Sequence, residues 1–206
     1  DILPPSGTME INSNASYCNA ADVMFTLNST DSAYMSFSND NASFSDWELY
    51  STSKSWTLTE GDGTKTVYVK FMDYGCNKTT VNDSIILDTI APSCNFVINS
   101  GNNYTAEKNV TIALTSTGAD YMAFGNDGVT YSAWEPYSNS KSWTLAEGDG
   151  LKTVYVKLKD AAGNEDTNSD TIVIDSTPPT GDMAINNEAE HSTAREITIT
   201  LTTDSA

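Results

Sequence analysis

Carboxylates set among glycine turns are the residues best placed for chemistry in this chain. Glu60-Gly-Asp-Gly63 recurs as Glu147-Gly-Asp-Gly150, and Asp88 recurs as Asp175. A third turn, Asp160-Ala-Ala-Gly-Asn164, adds a carboxylate and an amide oxygen. Calcium takes about six to eight oxygens from carboxylates, carbonyls and water. Glu60, Asp62, Asp88, Asp160 and Asn164 are a chemically competent set, and Glu147, Asp149 and Asp175 repeat most of it. A plainer reading stands beside this one. Glu-Gly-Asp-Gly closes a tight turn without help, and Asp-x-x-Gly-Asn closes a loop through positive-φ residues.

Other chemistry is sparse. The only histidine, His191, lies near the end of the chain, so a Ser-His-Asp or Cys-His arrangement has no base in the body of the sequence. Neither a phosphate loop nor zinc spacing occurs, and acids that recur at a fixed interval read as structural. The expected protein is not an enzyme and carries no organic cofactor. Seven N-x-S/T sequons, at Asn14, Asn28, Asn41, Asn77, Asn82, Asn103 and Asn109, are candidate glycosylation sites near loops and strand ends.

The framework that positions these residues is a repeat. Trp47 recurs as Trp134, Trp56 as Trp143, Tyr68 as Tyr155 and Asp73 as Asp160, all 87 residues apart. Lys54-Ser-Trp-Thr-Leu58 and Lys141-Ser-Trp-Thr-Leu145 are identical. A fixed period of this length signals like domains in an array. Residues 1–4 then close a preceding repeat and 5–88 form the first full one. Residues 89–91 are a linker, 92–175 the second repeat, 176–178 a linker, and 179–206 the start of a third. The chain reads as a window cut from a longer array.

Within each repeat, apolar and polar residues alternate. Val23, Phe25 and Leu27 match Val110, Ile112 and Leu114; Val67, Val69 and Phe71 match Val154, Val156 and Leu158. Period-two alternation buries one face of a strand. Strands are expected near residues 8–13, 22–28, 33–38, 44–50, 54–59, 65–72 and 82–88, about seven per repeat, which suits an all-β Ig-like sandwich. Trp47 and Trp56 are expected to pack in the core or at an edge; a sugar-stacking platform is the alternative. The net charge of −18 disfavours nucleic acid and anionic membranes.

These features together resemble the Ig-like tandem repeats of large bacterial and archaeal cell-surface proteins and adhesins. The residues that carry the resemblance are Asp160-Ala-Ala-Gly-Asn164, the Asn39-Asp40 and Asn126-Asp-Gly128 turns, Gly61-Asp-Gly63 and the Asp175-Ser-Thr-Pro-Pro179 linker. Asp73-Tyr-Gly-Cys-Asn77 departs from the pattern. The resemblance implies an extracellular stalk, adhesin shaft or filament subunit, with calcium between domains in several members.

Sandwich topology assigns loops to ends. The Glu60/Asp62 turn of one repeat is expected to face the Asp160/Asn164 turn of the next, with Asp88 between them. Cys18 falls near the same end of the first repeat and Cys94 begins the second, so a Cys18–Cys94 disulfide is expected, with three free thiols as the alternative. Cys76 lies at the opposite end, and its partner would be a cysteine in another repeat or chain. The expected function is an extracellular structural module giving length, stiffness and cohesion. The alternative is an adhesin that binds a glycan or protein through loops and surface aromatics. Expected partners are further repeats of the chain and other copies in a filament.

Overall fold

The computed structural model describes residues 2–188, 190–193 and 195–203; Asp1, Ala189, Ala194 and 204–206 lie outside the described residues, and with them the first residue of the expected preceding repeat and parts of the expected third. The first sandwich contains β1 (Ser6–Ile11), β2 (Tyr17–Cys18), β3 (Asp22–Thr30), β4 (Tyr34–Ser38), β5 (Glu48–Leu49), β6 (Ser53–Thr57), β7 (Gly63–Met72) and β8 (Lys78–Leu87). One sheet has the order β1-β3-β6 and the other β2-β8-β7-β4-β5.

The second sandwich repeats this with β9 (Ser93–Ile98), β10 (Tyr104–Thr105), β11 (Asn109–Thr117), β12 (Tyr121–Gly125), β13 (Glu135–Pro136), β14 (Ser140–Thr144), β15 (Gly150–Lys159) and β16 (Glu165–Ile174). Its sheets run β9-β11-β14 and β10-β16-β15-β12-β13. β17 (Gly181–Ile185) and β18 (Ile199–Thr203) then pair antiparallel. The chain forms two compact units. The first holds residues Asp1–Ser93 together with Thr117–Tyr121 and Leu158–Asp166; the second holds the remainder.

Alternation decides which side chains enter the core. Val67, Val69 and Phe71 of β7 are fully buried, while their intervening neighbours are half-buried. With Phe25, Leu27, Phe37, Ile85 and Leu87 they fill the space between the sheets. A buried Val, Leu or Phe contributes about 1.5–3 kcal/mol, so each such strand face adds several kcal/mol before ordering costs. Val154, Val156 and Leu158 do the same in β15.

The structure departs from the expected strands in two places. The short β2 breaks away from β1 and pairs parallel with β8, Tyr17 opposite Ile86 and Cys18 opposite Leu87. A two-residue strand leaves no periodic signal. The strand expected at 44–50 shrinks to Glu48–Leu49, because residues 39–47 form a loop tied back onto β4. Ser45 donates its backbone N–H to the Phe37 carbonyl at 2.8 Å, and its hydroxyl accepts from the Phe37 N–H at 3.0 Å. Asp40 Oδ1 closes the loop by accepting from the N–H groups of Ala42 and Ser43 at 2.8 and 2.7 Å.

Candidate functional site

The junction carboxylates are mostly engaged in closing their own turns and linkers. Asp62 Oδ1 accepts from the Thr89 N–H and hydroxyl at 3.2 and 3.0 Å. Asp88 Oδ1 accepts from the Ile90 N–H at 3.1 Å. Asp149 does for the next linker what Asp62 does for the first. Its Oδ1 accepts from the Ser176 hydroxyl at 2.7 Å and its Oδ2 from the Thr177 hydroxyl at 3.1 Å. Those bonds, the Ser176 hydroxyl foremost, hold the Asp149 carboxyl below its ordinary pKa. Asp175 Oδ1 accepts from the Thr177 N–H at 3.4 Å.

Glu147 takes Lys108 Nζ on both oxygens at 2.8 Å, and this lysine lowers its pKa through hydrogen bonding and charge. The Glu60 carbonyl accepts from Lys65 Nζ at 2.9 Å. Asp160 Oδ1 accepts from the N–H groups of Gly163 and Asn164 at 2.8 and 2.9 Å. Asn164 Nδ2 donates to Asp160 Oδ2 at 2.8 Å and, within the first compact unit, to the Asp88 carbonyl at 2.8 Å. Among the described residues, no three His, Cys, Asp or Glu side chains converge in a geometry that could hold a metal ion. The expected pooling of Glu60, Asp62, Asp88 and Asp160, and of Glu147, Asp149 and Asp175, is therefore not seen. Local donors reach these carboxylates without the loop-closure entropy that drawing distant acids together would cost.

Cys18 is a free thiol, so the structure does not contain the expected bridge to Cys94. The cause is orientation. β2 turns Cys18 into the apolar core of the first sandwich, where burial raises its thiol pKa. Cys76 is an exposed free thiol in the Asp73–Asn77 turn.

Four sequons, Asn14, Asn41, Asn77 and Asn103, fall in turns or loops. Asn28 and Asn109 lie within the ends of β3 and β11, and Asn82 is inside β8, on exposed positions. Asn77 is half-buried and its Nδ2 donates to Asp73 Oδ2 at 2.9 Å, an amide hydrogen that a glycan would compete for.

A second constellation escaped the sequence reading. β6 is an edge of the three-stranded sheet and β5 an edge of the five-stranded one. Lys54 on β6 reaches Glu48 on β5, Nζ to Oε2, at 2.6 Å. Trp56, also on β6, donates its indole N–H to Asn39 Oδ1 at 2.8 Å and packs on Phe25 and Phe37. Asn39 Nδ2 returns a bond to the Thr57 carbonyl at 3.3 Å. Together these contacts fasten the two sheets along one open side. The second sandwich repeats them as Lys141–Glu135 at 2.7 Å and Trp143–Asn126 at 2.8 Å. The identical Lys-Ser-Trp-Thr-Leu segments were the signal, but their partners, on the short strands β5 and β13 and in the loops before them, lie in a stretch of weaker identity. Trp56 and Trp143 thus serve packing, as expected. Trp47 is 39% exposed, with Lys78 Nζ 5.4 Å from its ring centroid.

A sheet of three strands faces one of five in each repeat, with β2 or β10 joined in parallel to the last strand. The solved structures of fibronectin(III)-like modules from Clostridium thermocellum CbhA match it with a TM-score of 0.56 at 12% identity, over 92% of this chain and 100% of theirs. The fold is a tandem fibronectin type III-like β-sandwich. A tetra-tandem repeat in the extending region of a large adhesion protein aligns at TM-score 0.33 and 19% identity, over 97% of this chain and 56% of that one. A 1.5-MDa bacterial ice-binding adhesin, solved for its host cell surface retention, aligns at 0.45 and 14%, over 90% of this chain and 70% of that one. No family model and no curated protein matches the sequence. Among the described residues, no helix is long and apolar enough to cross a membrane.

Proposed function

We propose that the chain is a tension-bearing segment of an extracellular surface stalk or filament, non-catalytic, whose fibronectin type III-like repeats supply length and cohesion. One observation carries this reading. A short strand near the entrance of each sandwich, β2 or β10, runs parallel to the strand that leaves it, β8 or β16. Ile86 N–H donates to the Ser16 carbonyl at 3.1 Å and Asp88 N–H to the Cys18 carbonyl at 3.0 Å. Val173 and Asp175 repeat this with Asn103 and Thr105, both at 3.0 Å. Pulling on the two ends of a repeat slides these strands past one another, so the bonds load together in shear instead of opening singly. The side clamps Lys54–Glu48 and Lys141–Glu135 oppose separation of the sheets. The Asp160-Ala-Ala-Gly-Asn164 turn and the Asp175-Ser-Thr-Pro-Pro179 linker support the surface-protein setting.

Single-molecule stretching of the chain tests this. Each repeat should give its own force peak and release about 300 Å of chain, the reach of 87 extended residues. Smooth extension without resolved peaks would overturn the reading. So would glycan-array binding by the unmodified chain that is lost on removing the Trp47 ring.

A further inference from the structure

We propose that the open edge strands β6 and β14 pair side by side with the same edges of other copies of this chain, joining stalks laterally through shared sheets. The inference rests on the stalk reading and adds a lateral partner to it. It starts from the phase of the ladder. β6 pairs with β3, Thr57 opposite Asp22 and Ser53 opposite Thr26. Leu58 N–H donates to the Ala21 carbonyl at 2.9 Å and Leu27 N–H to the Thr52 carbonyl at 2.8 Å. Bonded and unbonded pairs alternate along an antiparallel ladder. Lys54 and Trp56 therefore commit their backbone groups to β3, while Ser53, Ser55 and Thr57 turn theirs outward. β14 is phased alike on β11, with Leu145 N–H on the Lys108 carbonyl and Leu114 N–H on the Asn139 carbonyl, both at 2.9 Å.

Those outward groups stand open. A cleft of about 650 Å³ runs here, lined by Asp22 and by Lys54, Ser55, Trp56 and Thr57 in succession. Successive strand residues point to opposite faces, so a cleft lined by an unbroken run of them has the backbone edge as its floor. The Thr57 carbonyl accepts a 3.3 Å bond from Asn39 Nδ2, and Ser53 N–H makes a 3.4 Å bond to Ser51 Oγ. Among the described residues, no backbone partner reaches the Ser55 N–H or carbonyl, the Thr57 N–H or the Ser53 carbonyl. The other edges are shut. On β1 the outward Ile11 N–H is capped by Asp83 Oδ2 at 2.8 Å, and on β9 Ile98 is capped by Asp170 Oδ2 at 3.0 Å. β2 and β5 are each two residues long. A repeat follows the one that holds β6 and a repeat precedes the one that holds β14, yet each strand still ends its sheet. An adjoining repeat therefore extends neither.

The occupant is a second copy because the strand is complementary to itself. An antiparallel partner centred on Ser55 sets Ser55 opposite Ser55, Ser53 opposite Thr57 and Lys54 opposite Trp56. Ser55 N–H then meets the Ser55 carbonyl in both directions, and Thr57 N–H meets the Ser53 carbonyl. The identical Ser140-Lys-Ser-Trp-Thr144 offers the same register about Ser142, so the two edges can exchange partners. Like charges directly opposite one another would resist pairing, and this register has none. Lys54 is neutralised by Glu48 at 2.6 Å, and Asp22 lies one strand back, holding the Thr57 hydroxyl at 2.7 Å. An isologous joint between two such strands is small, so its strength comes from repetition along the array. The net charge of −18 repels copies elsewhere, and salt should favour the association by screening.

Hydrogen exchange and sedimentation of the full chain test this. Dilute and at low salt, the amides of Ser55, Thr57, Ser142 and Thr144 should exchange freely, while those of Trp56 and Trp143 are protected. At high concentration in about 1 M salt, where the screening length falls to about 3 Å, the outward amides should slow by at least about tenfold and the average mass should rise. Ser55→Pro with Ser142→Pro deletes the outward N–H without touching the inner ladder, a place where an edge strand accepts proline, and should hold the mass at that of one chain. Ser55→Ala with Ser142→Ala keeps the N–H and should associate like the unaltered chain. A mass independent of concentration and salt would overturn the proposal. So would undiminished association of a folded proline variant, or association that leaves the outward amides fast. If the proline variant does not fold, exchange in the unaltered chain decides. Separate force peaks from a chain that never associates would sink this inference and leave the stalk reading standing; smooth extension of a chain that does associate would do the reverse.

Discussion

Breaking the side clamp should cost the sandwich more than a surface ion pair would. The perturbation is Lys54→Met, which keeps the stem against Phe37 and removes the charge, combined in a cycle with Glu48→Gln. Lys54 and Glu48 are 2.6 Å apart, with side chains 31% and 37% exposed, and Glu48 Oε1 is buried with no hydrogen-bond partner. Exposed pairs contribute about 0.2–1 kcal/mol. Removing one member of a fully buried pair costs about 3–5 kcal/mol, because the other charge is stranded. A pair two-thirds buried falls between these limits, so Lys54→Met should cost about 2 kcal/mol. The double variant should recover part of that, leaving a coupling of about 1 kcal/mol. At about 4–8 °C per kcal/mol for a domain of this size, the single variant melts roughly 8–16 °C lower. Urea and thermal unfolding of the full chain provide the assay. The second sandwich, with Lys141–Glu135 intact, is the internal control, and only one of two transitions should move. Effects of Lys54→Met and Glu48→Gln that simply add, within about 0.5 kcal/mol, would refute coupling across the sheets.

Two further outcomes follow from the same geometry. Gly125→Ala places a Cβ 2.3 Å from the Thr130 carbonyl oxygen, a backbone atom that cannot swing aside, and should destabilise the second sandwich by about 1–3 kcal/mol in urea titrations. An unchanged midpoint would show that the 126–132 loop yields freely. Acid should weaken the fold through Asp73, Asp127, Glu147 and Asp149. Their folded-state pKa values lie below the unfolded ones, owing first to Asn77, the Thr130 N–H, Lys108 and Ser176 respectively. Unfolding then takes up protons. The stability these groups add is present above about pH 4 and is lost as pH falls through the folded values. Urea midpoints should be flat near neutrality and drop below about pH 4, and Asp73→Asn should flatten that drop in the first transition.

Much of this architecture was legible in one dimension. Val67, Val69 and Phe71 announce a buried strand face because alternation is a property of the backbone itself, whatever packs above it. The 87-residue period announces two like sandwiches, because equal sequences meet equal local forces. Turn chemistry was readable for the same reason: Asp160 finds its donors in Gly163 and Asn164, three and four residues away.

Contacts between sheets were not legible. Lys54 meets Glu48, and Trp56 meets Asn39, only after two edges come to lie side by side. No spacing rule encodes that distance. Cys18 was placed at the correct end of its sandwich, yet the direction of its side chain depended on β2 crossing to pair with β8. The junction carboxylates show the same division. Sequence located acids in turns, and the folded chain settled that nearby N–H and hydroxyl groups reach them before distant acids do. Local pattern determined which residues are buried and where the chain turns; three-dimensional proximity alone decided which polar groups became partners.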